Sequence, residues 1–379
     1  MIVGDGPAEP TGLAKIGRDL AAQIVSSDLP VDLVHLGGSV PPCWHGWQHY
    51  PLVRGNDWGA SHAKAYYQDL FGAEPGILWV IWDAARLFHY ADLGLPVQLW
   101  SYPAIDSTNL HEKLSGPAAY ALHRCDRVIA YGRWAAHVLK ETLGKPVNYL
   151  PHGLSTSTYS TSSTDLDRSW VRQILGPHYR DSMILVGCVA TNQPRKDLSL
   201  YFRALTLLKD RGYKVYGWLH TDVLVKDWAI AQLVEDCHLE RQVTVTTEEF
   251  SDRQLALLYQ HSDVTIAPAL GEGYGYPIVE SLASGTPVVH GDFAGGAELI
   301  PKLEWRVPSR GERLEGVYAL RRPVFTPDDV ANAAERALTW RSSVGEAVSR
   351  AYCQGAVAHL DWSQLWPRWS SWISKGLSP

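Results

Sequence analysis

The chain has 379 residues, of which 46% are hydrophobic and 20% are charged, and its formal net charge is −6 at pH 7. One hydrophobic core rarely serves a chain of this length, so two domains are expected. The acidic balance argues against a nucleic-acid-binding surface, and the five scattered cysteines contain no C-x-x-C pair that would indicate zinc or a disulfide framework. No leader follows Met1 and no apolar run approaches the roughly 20 residues that span a bilayer, which predicts a cytoplasmic protein with at most peripheral membrane contact.

Short β-rich runs alternate with segments of helical period in the first part of the chain. Strands are predicted at 31–36, 77–82, 97–100, 127–131 and 147–150, and helices at 12–25, 60–71, 110–124 and 133–143. This alternation is the pattern of βαβ units around a parallel sheet. Residues 155–167 are rich in Ser and Thr, which indicates a loop or linker with little apolar surface to bury.

The same alternation restarts after this segment. Strands are predicted at 183–189, 214–219, 242–246, 264–267 and 287–290, again with helical segments between them. Two doubly wound domains follow, at 1–165 and 166–359. Ligands of such sheets bind beyond the carboxyl ends of the strands, so a pair of these domains suits an enzyme with two substrates.

A glycine-rich turn between a predicted strand and a predicted helix is the most informative stretch. It reads GEGYGYP at 271–277, and Pro277 suits the first helical position. The glycines permit close approach of a ligand, and the helix N-terminus presents N–H groups and a positive dipole end that favour a phosphate. Glu272 and Glu280 flank this anion pocket. Because carboxylates repel phosphate, we expect them to accept hydrogen bonds from sugar hydroxyls.

These two glutamates, followed by SGTPVV at 284–289 and GGAEL at 295–299, resemble the donor signature of the retaining GT-B glycosyltransferases of glycosyltransferase family 4. The resemblance implies an α/β fold of GT-B type, with two doubly wound Rossmann-like domains facing across a cleft. It also implies a nucleotide-sugar donor, chiefly a UDP- or GDP-sugar, and an acceptor that is a glycan, a lipid-linked glycan or a small molecule. No cofactor is required. The alternative is a surface loop with two solvated glutamates.

By this resemblance, Glu280 holds the ribose hydroxyls of the donor, and Glu272 with the turn holds the transferred sugar and the distal phosphate. The family's glycine loop in the first domain, which reaches the donor phosphates, is matched by TGLA at 11–14. An earlier Gly4-Asp5-Gly6 is a weak dinucleotide fingerprint, because no long strand precedes it. The donor-binding residues so implied are Gly12, Asn192, Gly273, Tyr274, Gly275, Tyr276, Pro277 and Glu280.

The predicted catalytic residues are Glu272 and two cations that follow the first strand of the second domain. The family places an Arg and a Lys here against the diphosphate; Lys196 matches, while Cys188 occupies the usual Arg position and Arg195 is the substitute. Two cations would offset the charge that accumulates on the leaving nucleotide. The alternative is an Arg-Lys pair solvated at a strand end.

The acceptor side is expected in the first domain, where aromatic rings suit stacking on a sugar. Trp44 and Trp47 lie in a Trp- and His-rich stretch, and Tyr102 and Asp106 follow a predicted strand at which the family often carries a histidine. The alternative for the aromatic residues is that they simply cover the sheet. Near the C-terminus, tryptophans spaced by four, three and three residues predict a helix at about 360–379 that packs back on the first domain, as in the family, or contacts a membrane interface.

Family membership implies retention of anomeric configuration by front-face attack, with the leaving phosphate taking the acceptor proton and no metal ion. Three other functions stay open: a nucleotide-sugar epimerase of the same fold, a DNA-base glycosyltransferase with a basic acceptor site, and a non-catalytic protein that binds sugar nucleotides.

Overall fold

Strands and crossover helices alternate along the chain and build two large parallel sheets. The structure, a computed structural model, describes residues 1–38 and 46–377, together with the backbone of Cys43 and Trp44. It divides into two units. One contains Met1–Gly153, Gly316–Leu320 and the C-terminal helix from Trp362, and the other contains Leu154–Glu315 and Arg321–Asp361.

The first unit surrounds a sheet that has seven strands within the described residues. Its elements are β1 (Ile2–Val3), α1 (Gly12–Val25), β2 (Val34–Leu36), β3 (Cys43–Trp44), β4 (Gln48–Tyr50), α2 (Ala60–Phe71), β5 (Gly76–Val80), β6 (Val97–Ser101), α3 (Gly116–His123), β7 (Arg127–Val128) and α4 (Arg133–Leu143). The strand order is β3-β4-β2-β1-β5-β6-β7, and the β3–β4 pair is antiparallel. The other neighbouring pairs are parallel.

The second unit surrounds a parallel sheet that has six strands within the described range. Its elements are α5 (Thr156–Ser160), α6 (Asp165–Leu175), β8 (Ile184–Val189), α7 (Leu198–Asp210), β9 (Val215–His220), α8 (Ile230–Asp236), β10 (Val243–Thr246), α9 (Asp252–His261), β11 (Val264–Ala267), α10 (Tyr276–Ala283), β12 (Val288–Gly291), α11 (Ala294–Ala297), β13 (Arg306–Val307), β14 (Glu312–Glu315), β15 (Leu320–Pro323), α12 (Pro327–Val344) and α13 (Glu346–Val357). The strand order is β10-β9-β8-β11-β12-β13, and β14 and β15 form a separate two-stranded sheet. Two doubly wound parallel sheets were predicted, and this prediction is confirmed.

Each sheet has one point at which the strand order reverses direction. In the first unit β1 lies between β2 and β5, and in the second unit β8 lies between β9 and β11. In open α/β sheets the loops that follow the two strands at such a switch point diverge and leave a crevice for a ligand. The loops after β1 and β5, and those after β8 and β11, are therefore the places to search for a site.

Several predicted elements of the first unit differ from the structure. The central strand β1 was missed because it has only two residues, which are too few to show a pattern. Both residues are buried within the sheet. Predicted strand 147–150 is reduced to an isolated bridge between Ala130 and Tyr149. Predicted helix 110–124 begins only at Gly116, because the Asn109 side chain accepts hydrogen bonds from two backbone N–H groups and holds a turn before it.

The prediction that 155–167 is a loop unable to bury apolar surface is wrong. Thr156–Ser160 is the short helix α5, and its Tyr159 is 0% exposed. A capping box between Thr164 and Asp167 then begins α6, so Thr164 serves as a helix cap rather than as part of a linker. The predicted boundary at 165 thus falls at the first residue of α6, which belongs to the second unit.

The C-terminal helix α14 (Trp362–Leu377) packs on the sheet of the first unit. The Trp372 ring lies 4.9 Å from that of Trp100 and 5.6 Å from that of Trp79, measured between centroids. The Arg127 guanidinium lies 4.2 Å from the Trp372 ring and donates to the Trp372 carbonyl at 2.7 Å. The tryptophan stripe is therefore used in packing. Within the described ranges, no helix is long and apolar enough to span a membrane.

Candidate donor site at the switch point of the second unit

The loops after β8 and β11 meet at the switch point of the second sheet. The β8 loop ends in a 3₁₀ turn, Pro194–Lys196, that carries both predicted cations. The β11 loop runs through the glycine-rich turn to α10. The Leu270 N–H donates to the Arg195 carbonyl at 2.7 Å, so a backbone hydrogen bond fixes one loop to the other. The fold thereby brings together residues that are about 75 positions apart in the sequence.

Glu272 is the centre of the charged cluster at this point. Its carboxylate accepts a hydrogen bond from the Lys196 ammonium, and its Oε2 lies 3.5 Å from Arg195 Nη1. Arg195 Nη1 also donates to the Gly271 carbonyl at 3.0 Å. The side chains of Lys196 and Glu272 are only 9% and 12% exposed, so this ion pair is held away from bulk water. Lys196 and Glu272 are therefore not solvated surface groups, whereas the Arg195 side chain is 28% exposed.

The surroundings of Glu272 keep its carboxyl group ionised. Burial opposes ionisation, but the positive charges of Lys196 and Arg195 outweigh it and lower the pKa of Glu272 to about 2. The nearby His290 ring is buried, which lowers its pKa and keeps it neutral near pH 7. His290 Nδ1 donates to the Ala267 carbonyl at 2.8 Å. A permanent carboxylate is suited to accept hydrogen bonds from hydroxyl groups.

Helix α10 begins beside this carboxylate without a side-chain cap. Gly275 is its N-cap residue, with a left-handed φ of 98°, and Pro277 occupies one of the first two helical positions. A Cβ at Gly275 would lie 2.9 Å from Ile278 Cδ1, a side-chain end that can shift, so it is the left-handed dihedral that favours glycine. The rings of Tyr274 and Tyr276 are each 7% exposed and pack edge to face against one another. An uncapped helix N-terminus of this kind favours an anion.

The second glycine pair of the signature lets α11 pack against the Glu272 loop. A Cβ at Gly295 would lie 2.3 Å from the Gly273 carbonyl oxygen. A Cβ at Gly296 would lie 2.5 Å from His290 Nε2 and 3.0 Å from Glu272 Cβ. The glycines at these positions therefore have a steric cause: any side chain would displace the carboxylate loop.

Glu280 lies on α10 and is 5% exposed. Its Oε1 accepts a hydrogen bond from the Tyr159 hydroxyl at 3.0 Å, and its Oε2 accepts one from the Tyr259 hydroxyl at 3.3 Å. The alternative of a solvated Glu280 is therefore also excluded. Sequence patterns missed Tyr159, Tyr259 and His290, and the one available signal was a single tyrosine within a run of Ser and Thr.

Asn192 has a structural role that the sequence did not predict. Its Nδ2 donates to the Val223 carbonyl at 3.1 Å and to the Trp228 carbonyl at 2.8 Å. Its Oδ1 accepts from the Trp228 N–H at 2.9 Å, and the residue is 0% exposed. This side chain holds the loop after β9, and its predicted contact with the donor stays a prediction.

Gly12 is the first residue of α1 and follows the loop after β1. A network ties that loop together: Arg54 Nη2 lies 3.0 Å from Asp5 Oδ1 and 2.9 Å from Glu9 Oε1. The N-cap Thr11 donates to Asp5 Oδ2 at 2.5 Å. Asp5, Glu9 and Arg54 were not predicted, because the network begins at the strand β1 that sequence patterns missed.

The predicted acceptor-side aromatic residues are mostly internal. Tyr102 is 0% exposed and its hydroxyl donates to the Leu150 carbonyl at 2.5 Å, so it packs in the core, and its predicted acceptor contact stays a prediction. Trp47 is likewise buried, as expected for a ring that covers the sheet. Asp106 is partly exposed after β6. The Trp44 side chain lies outside the described residues.

Comparison with known proteins places these features in a wider group. Residues 182–338, which include the glycine-rich turn, Arg195 and Lys196, match the family described as "Glycosyl transferases group 1". The chain is 23% identical over 173 residues to the O-antigen chain mannosyltransferase RfbU of Salmonella typhimurium, an alignment that covers 46% of this chain and 44% of that protein. It is 27% identical over 228 residues to the D-inositol 3-phosphate glycosyltransferase of Rhodococcus erythropolis, covering 56% of this chain and 49% of that protein. The chain thus spans less than half the length of these two relatives.

Two solved structures resemble the chain over nearly its whole length. Sucrose-phosphate synthase from Thermosynechococcus elongatus superposes with a TM-score of 0.77 at 14% identity, covering 100% of this chain and 98% of that one. Anabaena Alr3699/HepE in complex with UDP-glucose superposes with a TM-score of 0.74 at 16% identity, covering 99% and 98%. At these identities the likeness establishes the fold. The chain therefore has the GT-B fold of two Rossmann-like α/β domains, and its residues 182–338 match a group 1 glycosyltransferase domain.

Proposed function

We propose that the chain is a retaining glycosyltransferase of the family 4 type, which moves a sugar from a nucleotide-sugar donor to an acceptor hydroxyl. The donor is a UDP- or GDP-sugar, and the acceptor is a glycan, a lipid-linked glycan or a small molecule. The enzyme acts without a metal ion or cofactor, in the cytoplasm or in peripheral contact with a membrane.

One observation carries this proposal. Glu272, kept ionised by Lys196 and Arg195, lies at the switch point of the second sheet beside the uncapped N-terminus of α10. A diphosphate is stabilised by cations and by the positive end of a helix dipole, and a sugar needs a carboxylate that accepts hydrogen bonds from its hydroxyls. The two requirements are met side by side, in a domain that matches group 1 glycosyltransferases.

The cations and the carboxylate have complementary roles in the proposed reaction. The bond between the anomeric carbon and the diphosphate oxygen breaks first, which leaves an oxocarbenium-like sugar and places negative charge on the diphosphate. Lys196, Arg195 and the helix N-terminus stabilise that charge. The acceptor oxygen then bonds to the same face of the anomeric carbon, and its proton passes to the leaving diphosphate. Glu272 orients the sugar through its hydroxyls and forms no covalent bond.

Lys196 and Arg195 are both paired with Glu272. With a donor bound, the cations share their charge between Glu272 and the diphosphate. This pairing keeps the three charged groups assembled at one place, which reduces the reorganisation needed for catalysis. On the acceptor side, Asp106 is the predicted residue that keeps solvent access, and Trp44 also stays a prediction.

The test is a calorimetric screen of UDP-, GDP-, ADP- and dTDP-sugars, followed by product analysis with candidate acceptors. We expect a UDP- or GDP-sugar to bind and, with a suitable acceptor, to give a glycoside of retained anomeric configuration. A changed sugar nucleotide without acceptor would instead identify an epimerase. Binding without turnover against a broad acceptor panel would identify a non-catalytic protein that binds sugar nucleotides. Transfer to DNA bases would identify a DNA-base glycosyltransferase.

A further inference from the structure

Two tyrosine hydroxyls, from two separate segments that both precede Glu280 in the sequence, contact the second glutamate of the candidate donor site. Tyr159 donates to Glu280 Oε1 at 3.0 Å and Tyr259 donates to Oε2 at 3.3 Å. Tyr159 is 0% and Tyr259 1% exposed, so neither hydroxyl is a surface group. The Glu280 charge and burial together raise the pKa of both tyrosines, which therefore stay protonated as donors.

Tyr159 reaches this position because its segment is fastened to the second unit. Gln260 Nε2, from α9, donates to the Tyr159 carbonyl at 2.6 Å and to the Thr161 carbonyl at 2.9 Å. At the start of α5, the Thr156 N–H donates to Asp361 Oδ2 at 3.0 Å. The backbone of α5 is thus held at both ends. This fixes Tyr159 in its buried position within the second unit.

The chemistry of a buried carboxylate explains why two donors are present. A carboxylate that is removed from water must be compensated by hydrogen-bond donors. A donor on each oxygen fixes the rotation of the carboxylate plane. A fixed plane with one oxygen held on each side is suited to a vicinal diol, whose two hydroxyls approach both oxygens together.

We propose that Tyr159 and Tyr259 are positioning residues that orient the Glu280 carboxylate toward the ribose 2′- and 3′-hydroxyls of the donor nucleotide. This inference rests on the proposed function, because it assumes that a nucleotide sugar occupies the site. It adds two residues to the donor machinery, one of them on α5, and it requires that the site select a ribonucleotide over its 2′-deoxy counterpart.

The experiment compares binding of a nucleoside diphosphate with that of its 2′-deoxy form by calorimetry. UDP is paired with dUDP, and GDP with dGDP, on wild type, Tyr159→Phe and Tyr259→Phe. Wild type binds the ribonucleotide more tightly than the deoxynucleotide. Each variant binds the ribonucleotide about tenfold more weakly, since one oxygen of the Glu280 carboxylate is no longer held in position for the ribose hydroxyls, while binding of the deoxynucleotide changes little.

Tyr201→Phe is the matched control. The Tyr201 hydroxyl is also buried in the second unit, but it donates to the Val186 carbonyl at 2.8 Å and makes no contact with Glu280. This variant should lose a buried hydrogen bond and some thermal stability while it keeps the wild-type ratio of ribo- to deoxynucleotide affinity.

The outcomes separate the positioning role from the function as a whole. Equal loss of both nucleotides in Tyr159→Phe and Tyr259→Phe, or no loss of either, overturns the positioning role while the glycosyltransferase proposal stands. If wild type binds neither UDP nor GDP, both proposals fail.

Discussion

The switch points of the two sheets have different chemistry, although their topology is alike. In the second unit, Lys196, Arg195 and Glu272 converge from two loops beside an uncapped helix N-terminus. In the first unit, Arg54 lies between Asp5 and Glu9 within a single network that ties one loop together. The arrangement in the second unit presents positive charge that an anion can share. In the first unit, one arginine compensates two carboxylates. The difference favours the second unit as the site of the diphosphate.

The two regions also differ in how well a sequence reveals them. Around Glu272 the informative residues have a fixed spacing in the sequence. Each is required for a steric or electrostatic reason, as Gly275 is by its left-handed backbone conformation. On the first unit the informative feature was aromatic composition, and the structure places Tyr102 and Trp47 in the interior. A motif whose residue spacing suits a ligand therefore predicts where its side chains lie better than residue type alone does.

The largest expected effect is that of Glu272→Gln. The amide keeps the shape but loses the charge that accepts sugar hydroxyls, so we expect turnover to fall by at least about a hundredfold. The chain should still fold, with lower stability, because Lys196 then faces an uncharged group. Product formation and circular dichroism are the measurements. Glu304→Gln, at a half-exposed glutamate paired with Lys302, is the control, and wild-type turnover in Glu272→Gln would contradict the assignment.

Lys196→Ala should lower turnover by about a hundredfold and weaken binding of the nucleotide diphosphate, since one of two cations is lost. With one positive charge fewer to oppose the effect of burial, the pKa of Glu272 rises. As the pH is lowered, the residual activity is therefore lost at a higher pH than in wild type. The measurements are titration calorimetry and a pH–rate profile. Lys209→Ala, which removes an ammonium bonded to the His238 carbonyl, should leave both unchanged. An unaltered affinity of Lys196→Ala for the nucleotide diphosphate would show that Lys196 does not contribute to the site.

Gly275→Ala tests the backbone of the turn. Alanine is strained at a φ of 98° and its Cβ would contact Ile278, so we expect a loss of about 1–3 kcal/mol of unfolding free energy and weaker nucleotide binding. Gly355→Ala is the control: this glycine lies within α13 with nothing near its Cβ position, and alanine there should be neutral or stabilising. Equal behaviour of the two variants in urea denaturation would argue against a special turn at Gly275.

Tyr102→Phe should have the smallest effect on activity. Loss of the hydroxyl that donates to the Leu150 carbonyl lowers unfolding free energy by about 1 kcal/mol, and turnover stays within about twofold of wild type. Steady-state kinetics over a range of acceptor concentrations is the measurement. A large increase in the acceptor KM would restore the acceptor role that the sequence indicated for Tyr102.

The sequence predicted the two parallel sheets because crossover helices and buried strands have distinct periods. It missed β1, whose two residues are too few to show any period, and with it the Asp5–Arg54 network. It predicted Glu272, Lys196 and Arg195 as a group, and the structure brings these three together. It missed the contact of Tyr159 with Glu280, because a pairing across 121 positions depends on tertiary packing.

The most direct test of a donor site in the second unit is a crystal structure of the chain with bound UDP or GDP. We predict that the distal phosphate lies within hydrogen-bonding distance of Lys196 Nζ and of backbone N–H groups of the glycine-rich turn before α10, with the ribose against Glu280. A nucleotide bound instead beside Asp5 and Arg54 in the first unit, with the Lys196–Glu272 pair untouched, would contradict it.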